Sequence, residues 1–221
     1  MVLNTRPWRR RLAGYLHENG LPAAGKGVGE KGWTVETSKP FGKPARKVIQ
    51  RVGNHLVARK ILPPKYNDGT LNSRMKAALN PPISPAQRAV AYAMSQRGVH
   101  ESPWGSNGGR DVHRYQSSTG AYNQAWCASF FWYCWQKAGY RGATSAGAWY
   151  STDRIGARVN IANAIPGDGV SFNVGDGHIG MFLSYNRRTG MVKTIDGNTA
   201  DQVAIRERSI HSIHSISRPH A

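Results

Sequence analysis

Cysteine is scarce in this chain, acidic residues are few, and no long apolar run occurs. Of 221 residues, only Cys127 and Cys134 are cysteines. Seven positions apart on one predicted helix, they are separated by ~10.5 Å of rise. A disulfide needs Cα atoms within ~7 Å, so none is expected, which suits a reducing compartment. A zinc site would need more ligands than these two cysteines. His211-Ser212-Ile213-His214 has helical ligand spacing but no further ligands around it, so no metal and no cofactor is expected. No segment approaches the ~20 apolar residues of a membrane span. The start, Met1 to Arg11, is basic without an apolar segment after it, so neither a general nor a twin-arginine export signal is expected.

The shortage of acid leaves a formal charge of +18, from 30 Lys+Arg against 12 Asp+Glu. The excess is uneven: residues 1–82 carry +12 and residues 83–221 carry +6. Such basicity implies an anionic partner, whether nucleic acid, an anionic wall polymer or a phospholipid surface. A nucleic-acid binder would place base-stacking aromatics on a basic surface or carry a reading motif. Neither is present, and the aromatics crowd around Cys127 instead.

Asn80-Pro81-Pro82-Ile83 breaks the chain, because consecutive prolines disfavour helix and stiffen a linker. The predicted organisation is a domain over 1–80, a linker over 81–83 and a second domain over 84–221. A helix opens the second domain, with Ser84 as N-cap, Pro85 at the first helical position and Gln87 closing a capping box. The first domain reads as three helices, over 8–17, 44–58 and 71–79, with a glycine-rich loop at 25–32. The tail from Ser209 is polar and His/Ser-rich, with Ile210, Ile213 and Ile216 suited at most to an edge strand.

The most informative stretch is Trp126-Cys127-Ala128-Ser129-Phe130-Phe131-Trp132-Tyr133-Cys134-Trp135. It reads as a buried aromatic helix whose first turn presents a thiol. Unpaired N–H groups and a partial positive charge at a helix start favour thiolate. They can lower a cysteine pKa from ~8.5 to between ~3.5 and ~7.5. His178 follows in Gly177-His178-Ile179-Gly180, a glycine turn entering an apolar strand. Asp196 and Asn198 lie in Ile195-Asp196-Gly197-Asn198-Thr199, where a second strand runs into a turn. A hairpin closed at Tyr185 and Met191 faces His178 with Asn198; one closed at Tyr185 and Thr189 faces it with Asp196. Either register puts the three side chains on one face. A lone buried cysteine is most often a small hydrophobe. The joint pattern is instead the layout of a papain-like hydrolase, with a Cys nucleophile, a His base and an orienting partner.

Residues 84–205 resemble the CHAP family, the cysteine- and histidine-dependent amidohydrolases/peptidases that cut peptidoglycan. The resemblance rests on Gly98-Val99-His100-Glu101-Ser102-Pro103, Tyr115, Trp126-Cys127-Ala128, Pro166-Gly167-Asp168, Gly177-His178-Ile179-Gly180 and Ile195-Asp196-Gly197-Asn198-Thr199, in the family's order. It implies an α+β, papain-like domain with N-terminal helices on an antiparallel sheet. It also implies Cys127 as nucleophile, His178 as general base and Asp196 or Asn198 as orienter. Many relatives carry Glu where Asp196 stands, which leaves both orienters open. Some relatives bind calcium through an Asp-x-Asp run before the cysteine. Here that place holds Tyr122-Asn123-Gln124-Ala125, and calcium is not expected.

The helical first domain resembles a three-helix peptidoglycan-binding domain. Its matching phrases are Leu16 to Leu21, Phe41 to Gln50 and Asp68 to Leu79. Together the resemblances imply a monomeric peptidoglycan hydrolase of the phage endolysin type. It would be made in the host cytoplasm and reach the wall through a separate pore. The oxyanion would be met by the Cys127 N–H, with Gln124 a candidate second donor. Trp104, Trp126 and Trp149 are candidates to line the substrate groove. Amidases and endopeptidases share these motifs, so the bond cut is open. Rival readings are a wall-binding protein without catalysis and a basic nucleic-acid-binding protein.

Overall fold

The computed structural model describes Leu12, Tyr15, Asn19 and residues 43–68, 70–79 and 83–220. The chain divides into two compact units, Met1–Pro82 and Ile83–Ala221. The glycine-rich loop at 25–32, the prolines at 81–82 and most of the helix expected over 8–17 lie outside the described residues; Leu12 and Tyr15 are helical.

In the first unit, α1 spans Lys43–Ala58 and α2 spans Ser73–Leu79. Ile49, Val52 and Leu56 recur at helical spacing on α1, and bury against Leu12, Leu62, Met75 and Leu79. Helix α2 begins two residues later than the sequence predicts. The cause is local: the Asn72 side chain caps the helix by accepting from Met75 N at 2.9 Å. Asp68 holds the preceding turn by accepting from Thr70 N at 2.9 Å and from the Thr70 hydroxyl at 2.6 Å.

The second unit is α+β. Its helices are α3 (Pro85–Ser95), α4 (Arg110–Gln116), α5 (Cys127–Lys137) and α6 (Ala148–Asp153). Its strands are β1 (Ala157–Arg158), β2 (Gly169–Phe172), β3 (His178–Asn186), β4 (Met191–Asp196), β5 (Ala204–Ser209) and β6 (Ile213–Arg218). They form one antiparallel sheet in the order β1-β6-β2-β3-β4-β5. The capping box at α3 is formed: Ser84 N donates to Gln87 Oε1 at 2.8 Å and Gln87 N to Ser84 Oγ at 3.2 Å.

Helix α5 is the axis of the core. Eight of its eleven residues are buried. Trp132 donates its indole N–H to Ser151 Oγ at 2.9 Å, and Trp135 donates to Gly167 O at 3.0 Å. Burial of these rings therefore leaves no indole donor unpaired. Ile179, Met181 and Ile195 join the cluster around α5 from one face of the sheet. Val170, Phe172, Phe182, Val192 and Ile216 form a second cluster on the alternate positions.

The β3–β4 hairpin closes on Asn186 and Met191, one residue from the Tyr185/Met191 closure and further from the Tyr185/Thr189 one. A β-bulge between Phe182 and Ser184 compensates for the shift, so Phe182 faces Thr194 and Met181 faces Ile195 nearer the sheet end. The bulge restores the alternation, and His178 and Asp196 keep one face in common.

The tail also departs from expectation. Strand β6 is not an edge: it lies between β1 and β2. Its polar residues are small hydroxyls that find partners inside. Ser215 Oγ donates to Asp153 Oδ1 at 2.7 Å and approaches Thr152 Oγ1 at 2.6 Å. His214 Nε2 bonds Asp153 Oδ2 at 2.8 Å.

The Pro166-Gly167-Asp168 turn is structural. Asp168 is fully buried and accepts from Arg218 Nε (2.8 Å), Arg218 Nη2 (2.9 Å) and Ile165 N (2.8 Å), tying the start of β2 to the end of β6. Replacing Asp168 by Asn removes the charge from this bidentate pair. Asp168→Asn should cost about 2 kcal/mol, the scale of a charge-assisted hydrogen bond. Denaturant unfolding of the full chain measures it, with the pH dependence of alkylation at Cys127 unchanged.

Candidate active site

The site forms at the end of the sheet where β3 begins, β4 ends and α5 opens. Cys127 is the first residue of α5, and no side chain caps that helix start. The first-turn N–H groups are therefore left to face the thiol. Burial raises the Cys127 pKa, but the hydrogen bond and positive charge of His178, with the Ile179 and Ala128 N–H groups, outweigh it and bring it below the ordinary thiol value. Cys134 lies one face-repeat along the same helix, fully buried, and burial pushes its thiol well up. Both cysteines are free.

His178 Nε2 lies 3.0 Å from Asp196 Oδ2, and the ring also bonds the Cys127 thiol. With Nε2 on the carboxylate, Nδ1 is the nitrogen left for sulfur. Burial lowers the His178 pKa, but the bonds to Asp196 and Cys127 and their charges raise it to about 9. Asp196 is completely buried. Burial raises its pKa, yet His178 and Arg208 outweigh that and hold it below the usual carboxylate range. The site thus biases Cys127 toward thiolate and His178 toward imidazolium, beside a carboxylate held ionised.

Of the two orienters left open, Asp196 bonds the imidazole. Asn198 does not; its amide donates to Asn107 Oδ1 at 3.1 Å. The chain leaves the strand between them. Gly197 lies where a β-carbon would stand 2.4 Å from Phe130 Cβ, and Asn198 takes a left-handed conformation with φ 51°. That turn swings the Asn198 side chain away from His178. A second close approach makes room for the carboxylate: a β-carbon on Gly180 would lie 2.0 Å from Asp196 Oδ1.

The other candidates separate. Trp126 is fully buried, stacked on Tyr115, and donates to Glu101 Oε1 at 2.8 Å, so it is core and not groove. Trp104 is 58% exposed and packs at a tilt against His100. Trp149 is 40% exposed; it packs on Gly177, beside His178, and donates to Phe172 O at 3.1 Å. The Gln124 side chain is exposed, while its carbonyl accepts from Gln116 Nε2 at 2.8 Å.

Three supporting residues, one of them inside a quoted motif, have no role assigned from the sequence. Gln116 is fully buried. Its amide also donates to Asn107 O at 2.9 Å, and its Oε1 accepts from Asn123 N at 3.2 Å, so one side chain ties together the two loops beside Cys127. The available signal was a polar residue on the buried Val112/Tyr115/Gln116 stripe of α4. Glu101, also buried, accepts from Asn107 N at 2.7 Å. Arg208 donates to Asp196 Oδ2 at 2.6 Å, and gave no signal in the charge alternation of β5. Among the described residues no group of three or more His, Cys, Asp or Glu could hold a metal. No helix there is long and apolar enough to cross a membrane.

The charge pattern fixes a pH dependence. Because the folded His178 pKa exceeds its ordinary 6.5, its contribution to stability is complete below 6.5 and is lost as pH rises through about 9. Iodoacetamide should label Cys127 at least tenfold faster than Cys134 at pH 7, read by peptide mass spectrometry. Above about pH 9 labelling should persist, since it needs only thiolate. Any reaction needing the imidazolium proton should decline there.

No curated protein matches the chain. Among solved structures it is similar to the P60 domain of an antigen from M. avium paratuberculosis, with 20% identity and a TM-score of 0.39. That likeness covers 62% of this chain and 93% of the other. The family comparison matches residues 116–198, a span that holds Cys127, His178 and Asp196 and ends at Asn198. Those residues are a CHAP domain.

Proposed function

We propose that this protein is a cysteine-dependent peptidoglycan hydrolase in which Cys127 is the nucleophile and His178 moves the protons. The observation that carries this is the buried Cys127–His178–Asp196 chain within a CHAP domain, a family of peptidoglycan amidases and peptidases. The Cys127 thiolate attacks an amide carbonyl of the stem peptide or of its junction with muramic acid. The carbonyl oxygen becomes an oxyanion facing the Cys127 N–H, with the Gln124 amide a candidate second donor. The imidazolium gives its proton to the leaving amine, and a thioester remains on Cys127. The neutral ring then takes a proton from water, which attacks the thioester and releases the acid. Asp196 holds the ring and its charge throughout. Trp149 and Trp104 are the exposed aromatics offered for the groove.

Cys127→Ser and His178→Ala should each abolish release of soluble fragments from purified walls, and lose about equally, because residues acting as a unit are not additive. Cys134→Ser should stay active. Asp196→Ala should lose far more activity than Asn198→Ala. An active Cys127→Ser with a native fold would sink the assignment. Mass spectrometry of the new termini distinguishes an amidase from an endopeptidase.

The basic first unit is proposed to retain the enzyme on the wall, and a lytic, phage-type role belongs to the same reading. Its support is the +12 carried by residues 1–82, which suits anionic wall polymers. Residues 83–221 alone should cleave soluble muropeptides but lyse intact walls more slowly than the full chain. Pelleting of the full chain with walls should weaken between 0.1 M and 1 M salt, as the Debye length falls from ~10 Å to ~3 Å. Equal lysis by both forms, or salt-independent pelleting, would remove the retention role.

A further inference from the structure

Arg208 reaches farther across the molecule than its position on the outermost strand suggests. From β5 its guanidinium reaches inward across the sheet face and meets the ring of Phe172, which comes from β2, at 4.7 Å from the ring centroid. On the way it donates Nη1 to Asp196 Oδ2 at 2.6 Å and approaches Thr194 Oγ1 at 3.4 Å. Oδ2 is the oxygen that also bonds His178 Nε2. Asp196 Oδ1 is buried without any hydrogen-bond partner. The carboxylate therefore directs its bonding through one oxygen, which holds two cations, and a β-carbon at Gly180 would displace it.

We propose that Arg208 is a positioning residue for the Cys127–His178 pair: it fixes the Asp196 carboxylate so that Oδ2 faces the imidazole. The inference rests on the hydrolase reading for its lytic readout and on geometry for the rest. Four buried or half-buried groups stand in a row: the Cys127 thiol, biased toward thiolate, the His178 ring, the Asp196 carboxylate and the Arg208 guanidinium. Without Arg208 that row would carry a net negative charge in a desolvated site. With it the row is neutral, and Asp196 is not left with His178 as its sole counter-ion. A guanidinium suits this place because its planar fork bonds oxygen in a fixed direction while its face lies on Phe172.

Few other charges enter. His178 on β3, Asp196 on β4 and, through His178, Cys127 on α5 face the guanidinium. Arg206, on the same face of β5, sends Nε to Thr199 Oγ1 at 2.9 Å. Glu207 points to the other face and pairs with Lys193 at 2.8 Å. Beyond Phe172, His214 on β6 is held by Asp153.

The test uses full-length wild type, R208Q and R208K. The His178 ring is titrated by NMR with labelled histidine, Cys127 alkylation is followed against pH, and lysis of purified walls is timed. In R208Q the loss of a positive charge beside Asp196 should move the His178 midpoint upward by ~1 unit. Lysis should fall roughly tenfold or more, from a misdirected carboxylate. R208K should bring the midpoint back toward wild type while regaining only part of the rate. An R208Q protein that folds and keeps both the wild-type midpoint and the wild-type rate overturns the proposal. Should R208Q fail to fold, R208K decides: a full wild-type rate there overturns it, because an ammonium offers no planar fork to fix Oδ2. A shifted midpoint in R208Q with no lysis by any form, wild type included, would leave the Arg208 assignment standing and overturn the peptidoglycan reading alone.

Discussion

A completely buried carboxylate, Asp196, sets the terms for the rest of the second unit. Removing such a charge from water costs several kcal/mol unless it is paired and hydrogen-bonded. Here the compensation comes from two cations on the same oxygen, the His178 ring and the Arg208 guanidinium. The ring in turn is held charged by the thiolate on its other side. Each group in the row is tolerable only because its neighbour is ionised. That mutual dependence biases the Cys127–His178 pair toward thiolate and imidazolium.

The surrounding fold serves this row by shape. Gly180 lacks the β-carbon that would collide with Asp196, and Gly197 lets Phe130 of α5 press against the turn after β4. Helix α5 is anchored along its length by tryptophans that each find an acceptor, so its first turn stays where the sheet end needs it. The loops beside Cys127 have no regular structure to steady them. They are held instead by two buried polar side chains, Gln116 and Glu101, whose bonds all run to loop backbone or to the Trp126 indole. Buried polar networks of this kind rigidify a site when fully satisfied.

The first unit rests on different physics. Its described core is a small aliphatic cluster of Leu12, Ile49, Val52, Leu56, Leu62, Met75 and Leu79, and its sequence is dominated by positive charge. Charge of that kind acts at a range of about a Debye length and needs no shaped pocket. A cleft that must align sulfur, imidazole and carboxylate within hydrogen-bond distance cannot be built that way. The Cys127–His178–Asp196 cluster lies in the second unit, and two thirds of the net positive charge lies in the first.

Local signals sufficed for the α+β class, the capping box at Ser84 and Gln87, the aromatic helix opening on Cys127, and the pair of strands carrying His178 and Asp196. Periodicity, caps and turn residues act over a few positions and are written directly in the residues. The choice between Asp196 and Asn198 was not of that kind. It depends on a bulge near Leu183, on Phe130 beneath Gly197 and on Asn107 from a loop some ninety positions away. The interior place of β6 likewise depends on hydroxyl partners on α6, which make a polar-looking tail fit to be buried. Arg208 is the clearest case. In sequence it is one basic residue among thirty on an alternating strand. Only the register that places its side chain against Asp196 and the Phe172 ring brings its charge onto the carboxylate, because contacts across a sheet are set by strand order and twist and not by the neighbours along the chain.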